Sequence, residues 1–216
     1  MKNKLKKAME SAEFAILAGL VAVPLLSFAF IQISTESPLY TSISRIIWVH
    51  GHWVAALIWS LLVMGVIAYL THRLLCTSPL TAKQQRAFMV YLFIHIVLVF
   101  VGCMLFPAKQ NLQCITFFNY MHDYLTAAAW AGYIVGLLVY SWKLRKADRF
   151  LGIFSLGLIS FVICSASFFL RWVIDPASYV GASAVSEVYI INSLLIYLVV
   201  MYVMQGYVGK LKEKGQ

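Results

Sequence analysis

The sequence predicts an all-α polytopic membrane protein, a six-transmembrane-helix bundle with both termini cytoplasmic. Three observations predict it. Of 216 residues, 62% are hydrophobic and 12% charged, and the mean hydropathy is +0.84; soluble domains carry about a quarter charged residues. The apolar residues fall into six runs, each long enough to cross a hydrocarbon core of about 30 Å. The basic residues lie in short tails and loops between those runs, and nearly all on one side. The length suits a single transmembrane domain over 1–216.

In chain order, residues 1–7 are basic and the first apolar run covers about 14–33. Its length matches a bilayer span and no clear cleavage site follows, so it reads as a retained helix rather than a signal peptide. Pro24 is expected to kink it. A polar loop over 34–44 leads to the second span at about 46–71. A basic connection over 72–86 precedes the third span, 88–106, which Pro107 closes. The fourth span covers 117–140 and the fifth 150–173, with a basic turn between them. The loop over 174–186 contains Pro176 and Gly181, and the sixth span, 187–208, ends in a basic tail.

Six spans place both ends on one side, and charge chooses which. Of 17 lysines and arginines, only Arg45, Lys109 and Arg171 fall on the far side. This asymmetry predicts cytoplasmic termini. Trp48, Trp142 and Trp172 near span ends fit an interfacial belt. The net charge of +9 does not indicate nucleic-acid binding, because the basic residues flank membrane spans rather than forming a patch. The four cysteines, at 76, 103, 114 and 164, form no CxxC pair. Cys103 and Cys114 could pair in an oxidising outer space.

The stretch Asn119-Tyr-Met-His122-Asp123 opens the fourth span. A carboxylate inside a span is costly and faces protein or water. Gly132 and Gly136 on the same helix have GxxxG spacing, which admits a close neighbour. Gly132 lies about 180° around the helix from Asp123. A helix packed on both faces is expected at the centre of the bundle.

By a rise of about 1.5 Å per residue, His52, His122, Asp123 and Asn192 lie roughly 8–9 Å outward of their helix midpoints. His50, Asn119 and Arg171 lie roughly 12–13 Å outward, and Glu187 marks the outer mouth of the last span. Ser160, Cys164, Ser167 and Arg171 form one stripe at helical spacing. Arg45 and His52, seven apart, are expected to share a face. Two readings compete. In one, these groups only lock helix register, with Asp123 paired to Arg171 or a histidine and Glu187 to Arg45. In the other, they line a pocket open to the outer leaflet, where both signs of charge with histidines suit a zwitterionic or anionic head group or a proton-transfer site. His95 reads as a packed core histidine and His72 as an interface residue. A zinc site from His52, His122 and Asp123 is chemically admissible, but the spacing is not diagnostic. No Walker, HExxH, GxSxG or dinucleotide fingerprint is present, so the sequence identifies no cofactor.

Three segments carry a resemblance. The segment at 37–44, Ser-Pro-Leu-Tyr-Thr-Ser-Ile-Ser, resembles an "SP…TIS" segment; Phe106-Pro107 with His122-Asp123 resembles an "FP…H(D)" pattern; and residues 181–189 with Glu187 are similar to a "G…ER" segment. Together they resemble a prokaryotic six-span family of unknown function, distantly similar to eukaryotic DRAM/Sfk-type membrane proteins. Val188 and Arg45 depart from its pattern. The resemblance implies six helices and a prokaryotic plasma membrane, and no defined reaction.

The first functional expectation is a pocket in the outer half that binds a lipid head group or small amphiphile. Such a pocket could also modify it, with His122 and Asp123 as acid/base groups, Arg45 and Arg171 on the anion, and His52, Asn119 and Glu187 orienting. Membrane lipids are then the expected partners. The alternative is a non-catalytic subunit or scaffold. Further alternatives are a b-type haem protein with His52 and His122 as axial ligands and a small transporter, for which no repeat is visible.

Overall fold

The computed structural model describes residues 11–39, 41–107, 116–174 and 183–214, without the side chains of 167–174 and 213–214. Regular structure among them is helical: α1 (Ala12–Ile31), α2 (Ile43–Trp48), α3 (Trp53–Cys76), α4 (Ala82–Leu105), α5 (Phe117–Ala147), α6 (Arg149–Ile174) and α7 (Ala184–Lys214). All but the short α2 are long and apolar enough to cross a membrane. In hydrocarbon this follows from the backbone, since only a helix or a closed barrel pairs every N–H and C=O internally.

The second span differs from expectation. The apolar run from Ile46 is not one helix: α2 ends at Trp48, the chain turns through Gly51 at φ +72°, and α3 begins at Trp53. That φ lies in the left-handed region where only glycine is unstrained. Arg45 and His52 therefore sit on different elements and do not share a helix face.

Local sequence explains the other ends. Ser11 caps α1 by accepting from Phe14 N–H at 3.2 Å. Ahead of Pro24 the helix widens into a π turn over Leu17–Ala22. Proline has no N–H to give, and its ring crowds the carbonyl four residues back, so a wider turn relieves both problems. Thr81 and Gln84 form a reciprocal capping box on α4.

Neighbouring helices follow chain order. α4 packs on α3 and α5, and α6 lies between α5 and α7. α7 also lies against α3 and α1, with α1 packed across the outside of that pair. The most enclosed span is α7: 56% of its most apolar stretch is buried, against 33% for α5. The expectation of a central fourth span is thus corrected to the sixth. Hydrophobic residues all round α7 are what a helix buried on several sides needs. The GxxxG face of α5 does meet a close neighbour. A Cβ on Gly132 would fall 2.1 Å from His95 Nε2, and one on Gly136 2.6 Å from Tyr91. The Tyr91 hydroxyl donates to the Gly132 carbonyl at 3.1 Å. The His95 ring nitrogen Nδ1 lies 2.8 Å from the Tyr91 carbonyl, so Nδ1 carries the proton.

Two ends of the bundle can be distinguished, here called inner and outer after the predicted orientation. At the inner end Lys212 reaches Asp148 at 2.7 Å and Thr77 donates to Gln205 at 2.9 Å. Asp148 alone joins α5 to α6, and its Oδ1 accepts from Leu151 N–H at 3.0 Å, capping α6. Burial pulls its carboxyl upward, but the Lys212 and backbone hydrogen bonds outweigh that and hold it below the ordinary carboxylate value of 3.8. A depressed folded-state value stabilises above the unfolded value, and that contribution is lost as pH falls through the folded one. Asp148→Ala is expected to lower stability by about 1 kcal/mol at neutral pH, mainly through the cap, since Lys212 is exposed and screened. Unfolding curves at pH 7 and pH 3 should show the gap from wild type narrowing in acid. A gap independent of pH would refute the ionised cap.

Candidate functional site

The outer end is built around α2. Ser42 caps this helix from within, accepting from Arg45 N–H at 3.2 Å. Glu187 caps it from α7, its Oε2 accepting from Ile43 N–H at 2.6 Å. The exchange is mutual, because the first N–H groups of α7 are met by loop carbonyls: Ala184 N–H by Thr41 at 2.6 Å and Val185 N–H by Pro38 at 3.4 Å. Two helix N-termini, each with unpaired donors, thus satisfy one another through the segment between α1 and α2. At the other end of α2 the Trp48 indole donates to the Cys103 carbonyl on α4 at 3.2 Å. The Cys103 thiol lies 3.8 Å from Thr126 Oγ1 of α5. So α2 is a short plug fixed to α4 and α7.

On this plug Arg45 pairs with Glu36 at 3.2 Å, and His50 approaches the other Glu36 oxygen at 3.6 Å while its Nδ1 lies 3.0 Å from Thr35 Oγ1. The register-locking reading pairs Arg45 with Glu187; in the structure Arg45 meets Glu36 instead, and Glu187 caps α2. Desolvation pulls the Glu36 carboxyl upward, but the Arg45 charge and hydrogen bond, with His50 behind them, hold it below the ordinary range. His52 is half-buried and stands at the N-terminus of α3.

The α5 residues form a second group. Asn119 Oδ1 accepts from Thr116 N–H and Oγ1, both at 2.8 Å, and its Nδ2 donates to the Pro107 carbonyl at 2.9 Å. His122 Nδ1 lies 2.8 Å from the Phe106 carbonyl. A carbonyl only accepts, so Nδ1 carries the proton and in the neutral ring Nε2 carries the lone pair. Both side chains are buried and both hold the turn after α4. Asp123 follows on α5, half-buried.

The structure thus joins Arg45 and Glu187 through α2, and Asn119 and His122 through Phe106-Pro107. Trp48, Cys103 and Thr126 connect the two groups. The side chain of Arg171 lies outside the described residues, as do Cys114 and its pairing with Cys103. Asn192 on α7 is half-buried, and its Oδ1 has no hydrogen-bond partner among the described residues. Among those residues no three His, Cys, Asp or Glu side chains gather as a metal site, so the zinc set of His52, His122 and Asp123 gains no support.

Sequence reasoning missed Glu36, which fell in a stretch read only as a polar loop. The one signal for it was an outer cation, Arg45, nine residues away, which the register-locking reading pairs with Glu187. It also missed a hydroxyl network at the inner half. Thr71 meets Tyr133 at 2.6 Å, Ser141 meets Ser155 at 2.6 Å, and Tyr197 meets Ser155 at 2.9 Å, all buried. Comparison of the chain with family models, curated proteins and solved structures finds no match.

Proposed function

We propose that the outer end of the bundle recognises the polar head group of a membrane lipid or small amphiphile. The observation that carries this reading is the Glu36–Arg45–His50 constellation formed by α2 and the residues flanking it at the outer end of the bundle. The Arg45 and Glu36 side chains are 31% and 41% exposed. An ion pair so open to solvent is worth about 0–1 kcal/mol, so trading it for a ligand costs little. A zwitterionic head group offers the matching exchange, its phosphate to Arg45 and its ammonium to Glu36. The Asn192 oxygen, without a hydrogen-bond partner among the described residues, is a further acceptor in the outer half. Modification of the head group would fall to Asp123 and His122 as the acid/base groups. The reading includes a prokaryotic plasma membrane, cytoplasmic termini and the six-span family named above.

A scaffold without chemistry is the second reading. It is favoured by Asn119, His122 and Glu187, whose described hydrogen bonds go to backbone groups and neighbouring caps. Native mass spectrometry from phosphatidylcholine micelles separates the two. Under the first reading, wild type retains phosphatidylcholine, while Arg45→Gln with Glu36→Gln loses it at unchanged melting temperature. Equal retention by both proteins would remove the head-group reading and leave the scaffold.

A further inference from the structure

The inner half of the bundle carries a different feature. Between α4 and α5 lies a groove of about 450 Å³, walled by Phe88, Tyr91, Val135 and Val139 and floored at Gly136. Its volume is within the roughly 300–1,000 Å³ of small-molecule sites. Gln84 and Lys143 stand at its inner mouth. A second, wider recess shares Ala87 with it and is bordered by Lys83 and Arg86. Val90, Val135 and Val139 are exposed on this side, so in a bilayer the groove opens to acyl chains rather than to the bundle core.

Charge identifies the occupant. Lys143 on α5 lines the groove, and Lys83 and Arg86 on α4 line the recess that adjoins it at Ala87. All three are exposed and form no ion pair among the described residues. Asp148, the carboxylate of the adjoining α5–α6 turn, is engaged by Lys212. An apolar slot with one cation on its rim and two on the adjoining recess complements a molecule with an alkyl body and an anionic head. At its floor Gly136 lets the Tyr91 ring pack close, since a Cβ there would fall 2.6 Å from Tyr91 Cε1.

We propose that this groove holds an anionic phospholipid of the inner leaflet, an acyl chain lying between Phe88, Tyr91 and Val139 and the phosphate among Lys83, Arg86 and Lys143. The site is independent of the head-group reading at the outer end, and either can fail without the other.

The test uses full-length protein carrying Arg45→Gln/Glu36→Gln, so that the outer end retains no zwitterionic lipid, in mixed micelles of equal phosphatidylglycerol and phosphatidylcholine, with lipids retained in native mass spectrometry as the readout. This reference protein should retain phosphatidylglycerol over phosphatidylcholine by about tenfold, the scale set by a few interfacial cations, and the further variants are made in it. The triple variant Lys83→Gln/Arg86→Gln/Lys143→Gln should retain the two lipids equally. Ala87→Trp, which fills the groove and leaves every charge in place, should also lose the preference. All four positions are exposed, and melting temperatures check that each variant is folded. No preference in the reference protein overturns the proposal, as does a triple variant that keeps it. A preference that survives Ala87→Trp but not the charge changes would mean diffuse attraction to a basic surface, and overturns it equally.

Discussion

Gly152→Ala is expected to unfold the α5–α6 hairpin at a temperature well below wild type. A Cβ at this position would lie 2.2 Å from Arg145 Cα, 2.3 Å from its backbone nitrogen and 2.4 Å from its Cβ. The first two are main-chain atoms of the facing helix, and the Cβ is fixed by them; that helix is joined to α6 through Asp148 alone, so no side-chain rotation relieves the clash. Overpacking that side chains can absorb costs about 1–3 kcal/mol, and a backbone collision should reach or pass the upper end. The helices must separate at the turn, which also strains the Asp148 cap on α6 and its contact with Lys212. Gly157→Ala on the same helix is the control. Nothing lies within 4 Å of a Cβ there, so the better helix former should leave stability unchanged or raise it by up to about 1 kcal/mol. Thermal unfolding of both proteins in one detergent makes the comparison. If Gly152→Ala melts with wild type, α5 and α6 do not approach as described.

How much of this was legible in the sequence follows from what each signal measures. Spans are legible because lipid leaves a helix as the economical way to pair the backbone, and length follows from thickness. The Gly132/Gly136 face is legible because missing side chains mark a close approach directly. The break at Gly51 is hidden inside an apolar run, where one glycine at positive φ looks like any other. The central position of α7 is hidden for a related reason. A helix buried on several sides has no polar stripe, so its pattern carries no direction.

The outer site shows the same division. Counting residues along a helix gives depth, and Asn119, His122, Arg45 and Glu187 do lie at the outer end. Depth does not give partners, which depend on how helices rotate and on where loops return. Glu36 could not be matched to Arg45 without the fold of the intervening loop, nor Glu187 to the N–H of Ile43, 144 residues away. Hydroxyl residues such as Thr71, Ser141 and Ser155 sit within apolar runs as span filler, and only contacts across helices reveal their bonds to Tyr133 and Tyr197.

Gln205→Leu should destabilise the protein, and Tyr140→Phe should recover part of the loss when the two are combined. Gln205 is 4% exposed and Tyr140 is fully buried. The Gln205 amide nitrogen donates to the Tyr140 hydroxyl, and its oxygen accepts from Thr77 at 2.9 Å, tying α7 to α5 and to the end of α3. Leucine removes both bonds. Thr77 still has the Arg73 carbonyl at 3.0 Å, so the loss concentrates on the tyrosine hydroxyl, which keeps only its hydrogen bond with the Ser78 side chain. A buried polar group left without its partner costs about 1–3 kcal/mol. Hydrogen bonds between membrane helices average nearer about 0.6 kcal/mol, because chains unfolded in the membrane also find partners. Near-complete burial of both groups favours the larger figure. Removing the hydroxyl in the Gln205→Leu background deletes a group left with Ser78 alone, so the double variant should be more stable than the two single losses added together, by about 0.5–1 kcal/mol. Unfolding free energies of the four proteins in one detergent close the cycle. Strictly additive losses would mean that the amide and the hydroxyl do not bond, and that α5 and α7 are held at this level by apolar packing alone.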